Sequence, residues 1–385
     1  MTQVPFKDVV LVGGGIVGAF SAYFLSRLGL SCAIVDPDID ARKASTCNPG
    51  GINPFHGPGL PGLCSPLAEL SFRLHFEEAP QISQLSGIDY HLERIERIEL
   101  AYSTEELEQL AKSLSKFDAI EGFAARILDR KQLTEADPRI GPDAVGGLWS
   151  DGNGNVHSQR YTKAVLLAAQ RQGVQILPGR LTGISAKGGR VDTLEISGDQ
   201  IACGHVVLCN GPWAAQAGEC FGASLPIKPL KGEMLLVELP ENSPRHHVSW
   251  KQFGIYREPN KLAWLGGTLD ASAGFDTSPT EAGRKTILDG VARMIPSILE
   301  AKVIEHVAAL RPVTSDGLPI FDRVGNYSNA LFVGGCGPKG MLLSAGLGFC
   351  ASQWIANGSC DLSLAPFQLD RFESTAASNK LRSRD

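Results

Sequence analysis

Apolar positions near the start of the chain fall in short blocks separated by glycine. Residues 8–12 (DVVLV) predict a short buried strand. Residues 16–29 (IVGAFSAYFLSRLG) predict a helix with small residues on one face, stopped by Gly29, and 31–36 (SCAIVD) predict a second apolar strand. A strand, a helix and a strand in that order form a βαβ unit, so the sheet there is parallel. Further on, the helical period predicts helices over about 67–80, 104–117, 160–173, 280–294 and 341–357. Ser103 and Glu106 stand at capping-box spacing before the second of these. Alternating positions predict an antiparallel meander over 181–186, 190–197 and 200–203, then strands at 205–209, 233–238, 253–257, 262–267, 303–310 and 330–334. Residues 45–66 are rich in Gly, Pro, Ser and Asn and read as a long loop, a length that in compact domains usually serves function.

A chain of 385 residues with 43% hydrophobic and 20% charged residues has the composition of a globular protein of about two domains. The net charge of −5 gives no reason to expect nucleic acid or an anionic membrane as partner. The nine cysteines are odd in number and none has C-x-x-C spacing, which argues against a disulfide framework and a thiolate metal site, and for a cytoplasmic setting. No apolar run is long enough for a membrane span, and no metal is expected. The 43 glycines are the unusual feature, and their placement carries the chemistry.

Gly13, Gly15 and Gly18 satisfy G-x-G-x-x-G between the first strand and helix, with Ile16 and Val17 opening the helix. The first glycine permits a tight turn, the second lets a pyrophosphate approach the backbone, and the third lets helix pack on strand. The helix N-terminus offers free N–H groups to phosphate. Asp36 ends the second strand, where a carboxylate accepts from a ribose hydroxyl. Together these predict a dinucleotide site without separating FAD from NAD. A second cluster, GGCGPKGML over 334–342, is a glycine-rich turn into a helix. A flavin needs such an element to stabilise charge at its N1/C2 carbonyl edge; otherwise it is an ordinary loop before a helix.

The ordered motifs VVLVGGGIVG, Asp36, STCNPGGIN, HVVLCNGPWA, PLKGEML, GIYREP, LGGT, LRPVTSDGLPI and GGCGPKGMLLSAGLG resemble the D-amino acid oxidase family of FAD enzymes. The likeness is greatest to the branch of glycine oxidase, sarcosine oxidase and D-amino acid dehydrogenase, and it runs to about residue 373. It implies an α/β fold: a Rossmann-like, glutathione-reductase-like FAD-binding domain and a mostly antiparallel β substrate domain of α+β type. The expected FAD-binding segments are 1–80, 148–215 and 306–373, the substrate domain 81–147 and 216–305, and 374–385 a flexible tail. The resemblance places Ser45 and Thr46 at the pyrophosphate, Gly50, Gly51 and Ile52 beside the flavin ring, Val174 or its neighbour near the adenine, and Gly211 near a strand end. It places Gly337, Lys339, Gly340 and Met341 at the pyrimidine edge.

On the substrate side the resemblance implies that Arg311, in the LRP segment, binds a carboxylate; without it, a surface ion pair is the simpler reading. Tyr256 is the expected tyrosine facing the substrate, with Phe253 or Ile255 open as the inward residue instead. His56, in the loop beside the flavin segment, is either a substrate contact or a solvated histidine. Residues 311–314 read Arg-Pro-Val-Thr and position 48 is Asn, where relatives attach flavin through Cys or His, so FAD is expected to be non-covalent. An apolar residue around Trp264 replaces the oxygen-activating lysine of sarcosine oxidases, which keeps a dehydrogenase reading open. The expected activity is oxidation of the C–N bond of a small amino acid or N-alkyl amino acid, with O2 or another acceptor, by a chain for which a homo-oligomer is open. Alternatives are an FAD-dependent 2-hydroxy acid dehydrogenase with His56 as base, or a flavin-binding subunit of a hetero-oligomeric amine dehydrogenase.

Overall fold

The computed structural model describes residues 5–239 and 246–372; the tail expected at 374–385 lies outside the described residues. In chain order the strands are β1 (Phe6–Val12), β2 (Cys32–Asp36), β3 (Gly51–Ile52), β4 (Glu93–Ala101), β5 (Ala124–Asp129), β6 (Gly146–Asn155), β7 (Gln175–Pro178), β8 (Leu181–Lys187), β9 (Arg190–Ile196), β10 (Asp199–Leu208), β11 (Lys228–Glu238), β12 (His247–Trp250), β13 (Phe253–Glu258), β14 (Leu262–Gly266), β15 (Lys302–Val313), β16 (Ile320–Arg323) and β17 (Ala330–Gly334). The helices are α1 (Ile16–Arg27), α2 (Ser65–Ser86), α3 (Thr104–Lys112), α4 (Arg130–Ala136), α5 (Ser158–Arg171), α6 (Ala214–Cys220), α7 (Glu281–Met294) and α8 (Gly340–Asn357).

The first sheet has the order β16-β17-β10-β1-β2-β7, with β9 beside β10 and β8 beside β9. From β17 to β7 the strands are parallel, and β16 closes the edge antiparallel. Helix α1 leads from β1 to its neighbour β2, while the strand on the other side of β1 is β10, from far later in the chain. That reversal opens a crevice at the carboxyl end of β1, the place where parallel sheets bind ligands. One face of the sheet packs on α1, α2, α5 and α8 through Phe20, Tyr23, Leu67, Tyr161, Val165 and Leu347. Buried His75 ties three of these helices together: its ring nitrogens lie 2.7 Å from the Tyr161 hydroxyl and 2.9 Å from the Leu342 carbonyl.

The second sheet has the order β15-β11-β14-β13-β12-β4-β6-β3, with β5 also on β6. It is antiparallel except between β12 and β4. One face is apolar: Leu235, Val237, Val248, Ile255, Ala263 and Leu265 pack on Ile287, Val291 and Met294 of α7. Because side chains alternate along a strand, the register sends Arg311, Met234, Trp264, Tyr256, Ser249, Arg97 and Glu99 to the opposite face.

Several expected elements shift. Helix α2 continues through Pro80 to Ser86 and ends on Gly87 in the left-handed region. Helix α3 stops at Lys112, and Leu114–Ala119 form a 3-10 turn. The expected strands 200–203 and 205–209 are one strand, β10, which leaves the meander and enters the parallel sheet. Strands β4, β5, β6, β12 and β16 were not anticipated, and β3 lies in the segment read as a loop. β4 reads ERIERIELA and β6 reads GGLWSDGNGN, so neither shows apolar alternation. The glycines of β6 are a packing demand: a Cβ on Gly147 would lie 2.7 Å from the Glu99 carbonyl oxygen.

Helices α1 and α8 meet where a Cβ on Gly348 would lie 2.7 Å from the Phe20 backbone. Gly348→Leu is expected to cost about 1–3 kcal/mol by over-packing. A thermal unfolding midpoint equal to that of the parent chain would refute this contact.

Candidate functional site

The crevice at β1 is shaped by missing side chains. Gly13 adopts φ +110°, and a Cβ there would lie 2.6 Å from the Cys209 carbonyl oxygen. A Cβ on Gly18 would collide with the Gly13 carbonyl oxygen, so α1 lies directly against the turn. Gly15 caps α1, Val17 is half-buried beside it, and the Ile16 N–H donates to Ser45 Oγ at 3.0 Å. Ser45 is held in turn by Thr162, whose hydroxyl donates to the Ser45 carbonyl at 2.9 Å. Thr46 folds its hydroxyl onto Lys43. Gly211, at φ +55°, turns the chain just beyond β10 at the same end of the sheet. Asp36 ends β2 with its carboxylate fixed: Oδ2 accepts from the Gly14 N–H at 2.7 Å, and Oδ1 pairs with Lys43 at 2.6 Å. The structure does not bring Val174 to this rim. It is buried before the first residue of β7, whereas Pro178 is the residue level with Asp36. At about 3.3 Å per residue, Val174 lies about 13 Å back along the strand. Leu177 and Pro178 occupy the end near Asp36.

A second cradle lies between β3 and the start of α8. Gly50 has φ +75°, and a Cβ would collide with the Val156 carbonyl oxygen. A Cβ on Gly51 would meet nothing within 4 Å, and one on Gly340 only Cys336 at 3.9 Å. Open space over these two glycines is room for a flat group. Ile52 is fully buried and paired to Gly154 of β6. Gly337 at φ +51° turns the chain into α8, and Met341 is buried in its first turn. The first N–H groups of α8 are the positive end of an 18-residue helix. The residues fit a dinucleotide: a turn and α1 N-terminus for phosphates, Asp36 for a ribose, and a flat slot ending on α8.

The polar face of the second sheet borders this slot. Arg311 extends across β11, occupying the space a side chain on Gly232 would need. Burial lowers its pKa, and its Nη1 has no hydrogen-bond partner among the described residues. Tyr256 shares that face; its ring lies over Gly254 and edge-on to His247 at 5.4 Å. This separates the three candidates on β13: Ile255 is in the core against α7, and Phe253 fills the space beside Gly290 of α7. Met234, Trp264 and Val307 make an apolar floor with Cys47 and Tyr256 packed on it.

His56 is not solvated: Nδ1 stands 3.4 Å from Glu99, with a side-chain exposure of 21%. Burial, then Arg97, Lys116 and Lys339, hold its pKa well below the usual histidine value, so it is neutral. Burial likewise pushes His247 down to about 3. The Lys339 stem lies against Gly57, and its Nζ reaches the Asn53 carbonyl at 3.4 Å. Burial, then Arg97 and Lys116, push the Lys339 amine down to about 7, against the pull of Glu99. Arg97, Glu99, Lys116, His247 and Ser249 were missed from sequence. Their signal was the every-second-residue placement of Arg97 and Glu99, hidden by the charged residues around them.

Since the folded Lys339 pKa lies below that of the free side chain, the unfolded chain binds more protons between pH 7 and 10. That group's contribution to stability therefore rises with pH across this window. Lys339→Met is expected to raise the unfolding midpoint more at pH 7 than at pH 9. An identical gain at both values would contradict the buried neutral amine.

Among the described residues no helix is long and apolar enough to cross a membrane, and no group of His, Cys, Asp or Glu is arranged to hold a metal. A model of the DAO family, FAD dependent oxidoreductase, matches residues 8–354. Hydrogen cyanide synthase subunit HcnC of Pseudomonas aeruginosa is 27% identical, over 96% of this chain and 97% of that protein. Glycine oxidase of Geobacillus kaustophilus is 27% identical over 94% of this chain and 97% of that protein. The crystal structure of glycine oxidase from Geobacillus kaustophilus superposes with a TM-score of 0.88 at 26% identity, covering 95% of this chain and 98% of that one.

Proposed function

Because the chain belongs to the DAO family of FAD-dependent oxidoreductases, we propose that it oxidises the C–N bond of a small amino acid or N-alkyl amino acid of the glycine, sarcosine or D-amino acid kind. The observation that carries this reading is the Arg311 Nη1, buried without a hydrogen-bond partner among the described residues, on the face that borders the cofactor slot. A guanidinium nitrogen that is buried with no acceptor suits an anion, and a substrate carboxylate supplies one, with the planar fork able to grip both its oxygens. FAD, when bound, supplies the two-electron acceptor for the hydride of the substrate α-carbon. The remaining work is positioning. Arg311 anchors the carboxylate, Tyr256 borders the bound substrate, and Met234, Trp264 and Val307 exclude water from the reacting carbon. The α8 N-terminus at Gly340 and Met341 would offer its positive partial charge to the bound cofactor. Neutral His56 and His247 add no charge beside the amine. The imine product is hydrolysed by water.

In this reading Gly13, Gly15, Ile16, Val17, Gly18, Ser45 and Thr46 surround the pyrophosphate, Asp36 holds a ribose, and Gly50, Gly51, Ile52 and Gly337 line the ring. The FAD-binding domain comprises 1–80, 148–215 and 306–373, and it lends β3 and much of β6 and β15 to the substrate-side sheet. The cofactor is non-covalent: Cys47, the thiol of the ring segment, is pushed up by burial, away from the thiolate that attachment needs. Nine free thiols fit a reducing, cytoplasmic setting. A second reading, a flavin-bearing subunit of a hetero-oligomeric dehydrogenase, is favoured by the relative named as a synthase subunit and by Trp264 on the substrate face.

The purified protein is expected to be yellow, to release FAD on denaturation, and to bleach anaerobically with one of glycine, sarcosine or D-amino acids. Arg311→Met is expected to lower kcat/KM by about 10²–10³-fold, mostly through KM, the consequence of leaving a carboxylate without its buried partner. An unchanged kcat/KM would remove Arg311 from the site. Activity only after a partner is added, seen with a shift on size exclusion, would select the subunit reading.

A further inference from the structure

Beyond Arg311, the polar face holds a second concentration of positive charge that amino-acid oxidation does not require. Arg97, Lys116 and Lys339 approach one another around loop 53–57, with neutral His56 among them and one carboxylate, Glu99, facing them. Arg97 spends its donors on Ser249 Oγ, at 3.2 and 2.9 Å, and stands 3.9 Å from Glu99. Lys116 donates to the Phe55 carbonyl at 3.2 Å and lies over the Phe117 ring, and burial lowers its pKa against the pull of Glu99, with Arg97 adding to the lowering. In the same place Asn53 is buried, and its amide nitrogen has no hydrogen-bond partner among the described residues. Two cations, Arg97 and Lys116, an amine at Lys339 that an arriving anion can recharge, and the unmatched Asn53 amide face a single carboxylate, Glu99, whose Oε2 makes no hydrogen bond, so donors outnumber the negative charge in this place.

The geometry points to a substrate with two anionic groups: its α-carboxylate sits on Arg311, and a second carboxylate or similar anion sits among Arg97, Lys116, Lys339 and Asn53. This inference rests on the amino-acid reading above and names the substrate class within it. The Arg311 head lies over Gly232 of β11, and the Arg97 head reaches Ser249 of β12, three strands away on the same face of the sheet. An amino diacid, or an N-carboxyalkyl amino acid, carries an anion for each of these two places; glycine carries only one. Tyr256 and Trp264, on the two strands between, line the connecting chain.

The test uses the FAD-loaded enzyme and substrate pairs differing by one charge: D-glutamate against D-glutamine, and iminodiacetate against its monoamide. Anaerobic flavin reduction is expected to favour the diacid at least tenfold in kcat/KM. Arg97→Gln and, separately, Lys116→Met are expected to bring that ratio to within about twofold of one. As a readout without turnover, glutarate is expected to perturb the flavin spectrum with a Kd at least tenfold below that of butyrate, and Arg97→Gln to erase the difference. Equal use of the acid and amide partners with equal Kd values, or ratios unchanged in both variants, would overturn the inference. If no amine bleaches the flavin, the amino-acid reading falls, while the glutarate and butyrate comparison still judges the second anion site.

Discussion

The alternation of the nine-stranded sheet is the constraint on which the site depends. One set of side chains, from Leu235 to Leu265, is committed to the core against α7. The other set has no choice but to face the opposite side of the sheet, where Arg311, Tyr256 and Trp264 lie. A slip of one residue in β15 would send Arg311 toward an apolar helix and strand Leu310 in the site, so hydrophobic burial on one face pins the register of the polar groups on the other. Chemistry is positioned here by the packing energy of residues that never touch substrate.

The cofactor side works in a complementary way, through space rather than side chains. Gly13, Gly18 and Gly50 stand where a Cβ would strike a carbonyl oxygen, and Gly51 and Gly340 where it would project into open space. The first three glycines let backbone meet backbone; the last two leave room for a ligand. Both kinds look alike in a composition, and only neighbours distinguish them.

That difference explains what the sequence made legible. The Gly13–Gly18 motif, Asp36 and the α8 turn are local features, and the βαβ unit around the first was readable from apolar blocks alone. Arg311 emerged through likeness to a family, since no local signal marks an unpaired arginine. Tyr256 could not be separated from Phe253 and Ile255, because the choice belongs to α7, which sits far along the chain and covers one face of β13. Val174 stands at the opposite end of β7 from Asp36, a placement set by the strand's direction and register against β2, which are tertiary facts. Strands β4 and β6 stayed hidden for a physical reason: β4 spends its inward positions on Arg97 and Glu99, and β6 spends several of its own on glycine, so both lose the apolar alternation that identifies a strand. Functional polarity erased the structural signal.

The two kinds of cation on that face are not interchangeable. An arginine stays charged in any protein environment, so burying the Arg311 Nη1 without an acceptor carries a desolvation cost that a bound anion relieves. A lysine escapes the same cost by losing its proton, which is the position of Lys339 near pH 7. An arriving anion would reverse that, making the charged amine favourable again, so binding would take up a proton where Arg311 takes up none. The proposed substrate face therefore pairs a permanent charge at Arg311 with an adjustable one at Lys339, with the apolar cluster of Met234, Trp264 and Val307 on the same sheet. Low dielectric strengthens both attractions and equally raises the cost of leaving either unmatched, so a ligand that satisfies one end alone forgoes part of the stabilisation the fold has already prepared.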